Sequence, residues 1–324
     1  MVAGPMGGGA MRSGVAASER GFALLLVVVL VMVCGVMLSG FAGRSGGEAL
    51  VARDRVEDLQ RRWASISLRE ALLPSVEALL REAEGRADEG AEGDVANSPS
   101  RSVLGGTRLA GGAVGELRVV VSLGGLAHEL VLTDEQARVR VDRLLSDRGR
   151  LAAEAEVARL LGGRRLGMRV SLSPVVMAAG GEPEVSGYGQ VFAAVLPERL
   201  VGSGVGDGVA GGGVTCWGDG RLNVQRADEA AIQLVCEGLL GEAGVQALLA
   251  GRDRDAFASL EELLRGVGGM HPLLRGELEG VLTDRSGCHG VWVVSRGRQR
   301  DWVTLSVARR GEDGGLLGRV DFAW

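Results

Sequence analysis

The sequence predicts an α+β fold: one long N-terminal helix, a small antiparallel sheet, and further helices between its strands. Three observations predict it. An uncharged apolar run from Gly21 to Gly43 passes into an amphipathic helical pattern. Period-two runs occur at Gly115 to Leu123, His128 to Leu132, His289 to Arg296 and Arg300 to Arg309. Helix-like stretches at Arg150 to Leu161, Asp228 to Leu240, Gly244 to Leu249 and Ser259 to Leu264 lie between those runs.

The first element is a membrane span. From Gly21 to Gly43 the only ionisable side chain is the thiol of Cys34, and roughly 20 apolar residues carry a helix across a hydrocarbon core of about 30 Å. A cleaved secretory signal has a shorter apolar region, of about 7 to 15 residues. Hydropathy alone leaves an ordinary signal anchor open as the alternative.

Beyond Arg44, apolar residues recur at helical spacing through Val56, Leu59, Trp63, Ile66, Leu73, Val76 and Leu80, so the amphipathic continuation covers 44–84. Pro74 should kink or restart it, since proline lacks the backbone donor and clashes with the preceding turn. Glu82 to Ser102 reads as a linker. Strand signals follow, with Arg138 to Val141 alternating strictly and Met168 to Val176 returning to alternation. The Gly-rich segment Val201 to Val214 reads as a connector. Its formal GxGxxG at Gly206, Gly208 and Gly211 neither follows a strand nor opens a helix, which argues against a dinucleotide site. The two C-terminal period-two runs form a hairpin, and Leu316 to Trp324 adds a last strand.

Composition excludes several functions. With 46% hydrophobic residues in 324, a packed core is expected. All 36 basic residues are Arg, which rules out a Walker A lysine, a Schiff base or a lysine-activated nucleophile. A net charge of -5 makes nucleic acid an unlikely partner. His128, His271 and His289 stand in no catalytic motif, and the acidic pairs Asp134-Glu135 and Glu261-Glu262 read as solvated turn and helix faces. No enzyme is expected. Cys216, Cys236 and Cys288 have no zinc-type spacing; two of them could pair outside the cytoplasm, but no obligatory disulfide is expected.

The boundary Ser18-Glu19-Arg20-Gly21-Phe22-Ala23-Leu24-Leu25-Leu26 resembles the prepilin peptidase site of type IV pilins and type II secretion pseudopilins. The resemblance implies a leader of residues 1–21, cut after Gly21, and an N-methylated Phe22 at the mature N-terminus. The transmembrane part of the helix would then be 22–43. Most of the family carry glutamate at the fifth mature position, where this chain has Leu26. A carboxylate at membrane depth costs about 2.5 to 3.5 kcal/mol unless paired, so a subunit with no neighbour above it has no use for one. Its lack is the hallmark of the tip-capping minor pseudopilin K.

A second region is similar to that K family. Cys216-Trp217-Gly218-Asp219-Gly220-Arg221-Leu222-Asn223-Val224-Gln225-Arg226-Ala227 turns the chain, runs through a strand and meets a helix that Asp228 can cap. Two helices, Arg252 and Ser259-Leu260-Glu261-Glu262-Leu263-Leu264 follow. Thr133 to Asp142 is similar to the acidic turn and strand before the family's inserted domain, although Arg140-Val141-Asp142 replaces its Asn-rich ending and Gln225-Arg226 its Asn-Thr.

The resemblance implies a pilin-like long N-terminal helix packed on the sheet, with an inserted helix-hairpin-helix or SAM-like helical domain. That domain would span 143–285, with the sheet contributed by 103–142 and 286–324. The chain would sit in the cell inner membrane by a single pass, with its globular part in the periplasm. Partners would be minor pseudopilins I and J, the major pseudopilin, the inner-membrane assembly platform and the prepilin peptidase. No cofactor is expected. Calcium enters by family resemblance only, through Asp142, Asp207 and Asp219, which lack the spacing of an EF-hand. Alternatives are a type IV minor pilin and a membrane-tethered helix-hairpin-helix DNA-binding protein of competence type. Cys216 to Arg285 carries 12 acidic against 7 basic residues, which opposes phosphate binding.

Overall fold

The computed structural model describes residues 14–89, 107–108, 114–160, 169–172, 176–177, 183–184, 187–193, 213–255, 257–268, 270–297, 301–311 and 314–323. The chain divides after Gln60 into two units. The first, over its described residues, belongs to helix α1 (Gly14–Leu72), whose last turns lie in the second unit.

Pro74 acts as its chemistry requires. A 3-10 turn at Leu73–Ser75 separates α1 from α2 (Val76–Glu89). The apolar stripe changes its surroundings along this path: Val56, Leu59 and Trp63 are exposed, whereas Leu73, Val76 and Leu80 are buried. The linker expected from Glu82 begins later, since α2 runs on to Glu89. Buried Leu80 and the packed Ala83 fasten that turn, and a single glycine, Gly85, weakens a helix by only about 1 kcal/mol. Residues 90–102 of the expected linker lie outside the described residues.

The sheet has six strands: β1 (Thr107–Arg108), β2 (Val114–Leu123), β3 (Leu126–Asp134), β12 (Cys288–Ser295), β13 (Trp302–Arg310) and β14 (Leu316–Ala323), in that spatial order and antiparallel throughout. Gly124 and Gly125, with φ of 62° and 79°, close the β2–β3 hairpin in the two-residue turn that matches strand twist. Period-two alternation sends neighbouring side chains to opposite faces. Leu130, Leu132, Val291 and Val293 pack under Leu73, Val76 and Leu80, while Val131, Trp292, Val294, Leu305 and Val307 enter a second core on the other face.

That second core belongs to residues 135–287, which connect the adjacent strands β3 and β12. They comprise β4 (Val139–Arg140), α3 (Val141–Arg148), α4 (Arg150–Leu160), β5 (Arg169–Val170), β6 (Val176–Met177), β7 (Pro183–Glu184), β8 (Phe192–Ala193), β9 (Val214–Thr215), β10 (Leu222–Asn223), α5 (Glu229–Arg254), α6 (Leu260–Gly266), α7 (Pro272–Val281) and β11 (Leu282–Thr283). The short strands pair β4 with β9, β5 with β8, β6 with β7 and β10 with β11. Of the expected connector only Gly213 and Val214 are described; Gly206, Gly208 and Gly211 lie outside the described residues.

The alternating Arg138 to Val141 does not join the main sheet. Only Val139 and Arg140 are strand, paired in parallel with β9, and Val141 opens α3. The i, i+3, i+4 spacing of Val141, Leu144 and Leu145 buries one helical face there and prevails over the alternation before it. Asp228 caps α5 through the Ala231 N–H, and Gly241, at φ 65°, breaks α5 between its two expected halves. Although α5 is long and apolar enough to cross a membrane, Ile232, Leu234, Val245, Leu248 and Leu249 are buried in the second core. Ser259 and Glu262 form a capping box at α6, a device contributing about 1 kcal/mol.

Candidate functional site

The residues before Phe22 carry no described side chains, but the backbone of Gly21 lies in α1, so the Gly21–Phe22 bond falls within a helix. Phe22 is 68% exposed and Leu26 53%. From Phe22 this helix is long and apolar enough to cross a membrane, and none of the apolar window is buried against the rest of the chain. Leu26 continues that apolar surface.

A polar joint fastens the insertion to the sheet. Asp134 and Glu135, expected as a solvated turn, are fully buried. Burial of a carboxylate is unfavourable without partners, and both have them. Asp134 accepts from the Gln136 N–H at 2.9 Å, from Asn223 Nδ2 at 3.0 Å, from Arg226 Nη1 at 3.3 Å and from the Ser286 hydroxyl. Glu135 accepts from Thr133 Oγ1 at 2.7 Å, Thr215 Oγ1 at 2.6 Å and Arg138 Nη1 at 3.3 Å. Gln136 Nε2 donates to Asp219 Oδ1 at 2.6 Å, and its Oε1 accepts the Gly287 N–H. Arg140 Nη1 donates to the Gly218 carbonyl at 2.9 Å. The acidic turn is a clasp on the module that follows Cys216.

Arg226 is the centre of the joint. It donates to Glu84 from Nε at 2.7 Å and Nη2 at 3.1 Å, and to Glu77 Oε2 from Nη1 at 2.7 Å. Burial disfavours its charge, but its hydrogen bonds to Glu84 and Glu77 and the Asp134 charge outweigh this and raise its pKa. Burial likewise pushes the Glu77 carboxyl up, yet hydrogen bonds from His289 and Arg226 prevail and bring it to about 2. Nothing local in the sequence signals the role of Arg226. Its partners lie 142, 149 and 92 residues away.

Two of the candidate calcium ligands, Asp142 and Asp219, are engaged within the fold. Asp142 is paired with Arg140, and burial raises its pKa. Asp219 is also buried in part, but hydrogen bonds from Arg221 and Gln136 hold its pKa low. Asp207 lies outside the described residues. Among the described residues no group of three or more His, Cys, Asp or Glu is placed to hold a metal. Of the acidic pairs, Glu261-Glu262 does sit on an exposed helix face. Cys216, Cys236 and Cys288 are buried free thiols, and burial pushes Cys236 up to about 12.

Together these features define an α+β chain in which a long helix, uncharged from Phe22 to Gly43, leads into a six-stranded antiparallel sheet interrupted by a largely helical insertion. Among solved structures, the chain is similar to one in the crystal structure of the GspK-GspI-GspJ complex from the enterotoxigenic Escherichia coli type 2 secretion system. The likeness has 16% identity and a TM-score of 0.43, and covers 84% of this chain and 99% of that one. No protein-family model and no curated protein matches.

Proposed function

We propose that this chain is a K-type minor pseudopilin of a type II secretion system, a non-catalytic subunit at the pseudopilus tip that initiates assembly and serves protein export. The observation that carries this reading is Leu26, within an uninterrupted apolar helix directly after Arg20-Gly21-Phe22. A prepilin peptidase cuts after Gly21, and Phe22 becomes the methylated N-terminus. Leu26 lies one helical turn further on, with no carboxylate to receive a neighbour's terminal amine, as suits a subunit with nothing above it.

In this reading residues 22–43 cross the inner membrane once and then enter the filament core, because one apolar surface suits both surroundings. The amphipathic stretch 44–84 leads to the periplasmic body. Strand order supports a split pilin-like sheet, drawn from 103–142 and 286–324, around an inserted domain of 143–285, with the near boundary moved back to Glu135 because Arg138 to Val141 leaves the main sheet. Minor pseudopilins I and J, the major pseudopilin and the assembly platform are the partners.

Mass spectrometry of the chain coexpressed with a prepilin peptidase tests the reading. A mature chain starting at methylated Phe22 is expected, and an uncleaved chain overturns it.

A further inference from the structure

A cleft of about 390 Å³ lies between α2 and the insertion, with the Arg226 joint in its wall. The carboxylates lining it are occupied by the fold. Glu84 holds Arg226; Glu77 accepts from Arg81, Arg226 and His289; and Asp284 Oδ2 accepts the Leu260 N–H at 2.9 Å. The arginines differ among themselves. Arg226 is saturated, but Arg81, whose side chain is 67% exposed, bonds Glu77 through Nε alone and keeps both Nη groups open among the described residues. The Arg285 guanidinium has no ion pair or hydrogen bond among the described residues, and the residue is exposed.

Phe257, also lining the cleft, is 68% exposed. Its position is held by its own turn, where the Asp255 carboxylate accepts the Phe257 N–H at 3.0 Å. An aromatic ring kept in water beside two guanidiniums with open donors has the composition of an interface anchor. The cleft lies at the small end of ligand pockets, which run from about 300 to 1,000 Å³. It suits two side chains of a peptide rather than a folded domain.

We propose that this cleft docks a polypeptide segment of a partner protein that presents a carboxylate beside an apolar side chain. The carboxylate takes the open donors of Arg81 and Arg285, whose planar forks match its geometry. The apolar group covers Phe257. The proposal does not depend on the pseudopilin reading, because it uses only residues of the cleft.

Titration of the full chain in detergent micelles by ligand-observed NMR tests it with three probes. N-acetyl-Leu-Glu amide offers a side-chain carboxylate, N-acetyl-Gln-Leu with a free C-terminus offers a terminal one, and N-acetyl-Leu-Gln amide offers none. At least one carboxylate probe should bind roughly tenfold more tightly than the neutral one, and more weakly at high salt. Which of the two binds identifies the source of the carboxylate. Arg285→Gln and Phe257→Ala should each weaken binding by roughly tenfold with an unchanged circular dichroism spectrum. Arg81→Gln provides a second charge variant should Arg285→Gln disturb the fold. Equal binding of the neutral probe, no binding of either carboxylate probe, or wild-type binding by the variants overturns the proposal.

Discussion

Arg226 grips Glu84 with two hydrogen bonds, at 2.7 and 3.1 Å, across 142 residues of sequence. Both side chains are largely buried, so their charges are sheltered from water and depend on one another. Removing one partner of such a pair leaves the other charge stranded, which is typically worth about 3 to 5 kcal/mol.

Arg226→Leu therefore should lower stability by about 3 to 5 kcal/mol, because Glu84 and Asp134 lose a buried counter-charge. Urea denaturation followed by tryptophan fluorescence measures it. The double variant Arg226→Leu/Glu84→Leu should recover part of the loss, and a single-variant loss under about 1 kcal/mol contradicts the joint.

Glu77 sets an acid limit. Its pKa is depressed in the folded state, to about 2 from an ordinary value of 4.5. Its contribution is thus fully present above pH 4.5 and is lost as pH falls through about 2. With allowance for solvent screening of this partly exposed group, the contribution is about 2 kcal/mol. Denaturant midpoints measured from pH 5 to pH 2 should fall less steeply in Glu77→Gln than in the parent.

Gly290 makes room for the clasp. A Cβ there would lie 2.6 Å from Thr133 Oγ1 and 2.8 Å from Glu135 Oε1, inside the buried network. Gly290→Ala should destabilise by about 1 to 3 kcal/mol through overpacking. Gly276→Ala, on α7 with nothing within 4 Å, should instead stabilise by up to about 1 kcal/mol. Thermal melts of the two variants should move in opposite directions.

Val33, near the middle of 22–43, should tolerate no charge if that segment spans a bilayer. Val33→Asp should raise the cost of insertion by about 2.5 to 3.5 kcal/mol. Leu26→Glu, nearer the end of the segment, should cost less. The fraction inserted into microsomes reports both, and an unchanged fraction for Val33→Asp contradicts a membrane span.

Local rules were legible where the controlling partner was close in sequence. Pro74 marked the break between α1 and α2, Asp228 the cap of α5, and the alternation around Trp292 a hairpin strand. Charge and hydropathy change within a few residues at Gly21–Phe22, and α1 runs through that boundary. The clasp was not legible. Asp134 and Glu135 are polar residues in a turn, and what buries them comes from Thr215, Asn223 and Arg226, about 80 to 90 residues on. Helix α3 was missed because Arg138 to Val141 alternates like a strand, while the helical period starts only at Val141.

The adjacency of β3 and β12 governs the order in which the chain can fold as it is synthesised. The ribosome delivers α1, α2 and the first three strands early, yet the strand that completes the middle of the sheet begins only at Cys288. Until then β3 presents an open hydrogen-bonding edge, a template for wrong pairing. Sheet closure across so wide a separation is intrinsically slow, because the loop entropy is lost before the contacts are gained. A nascent chain stalled before its last 40 or so residues would expose that edge on half a sheet, and a holding chaperone would find it there.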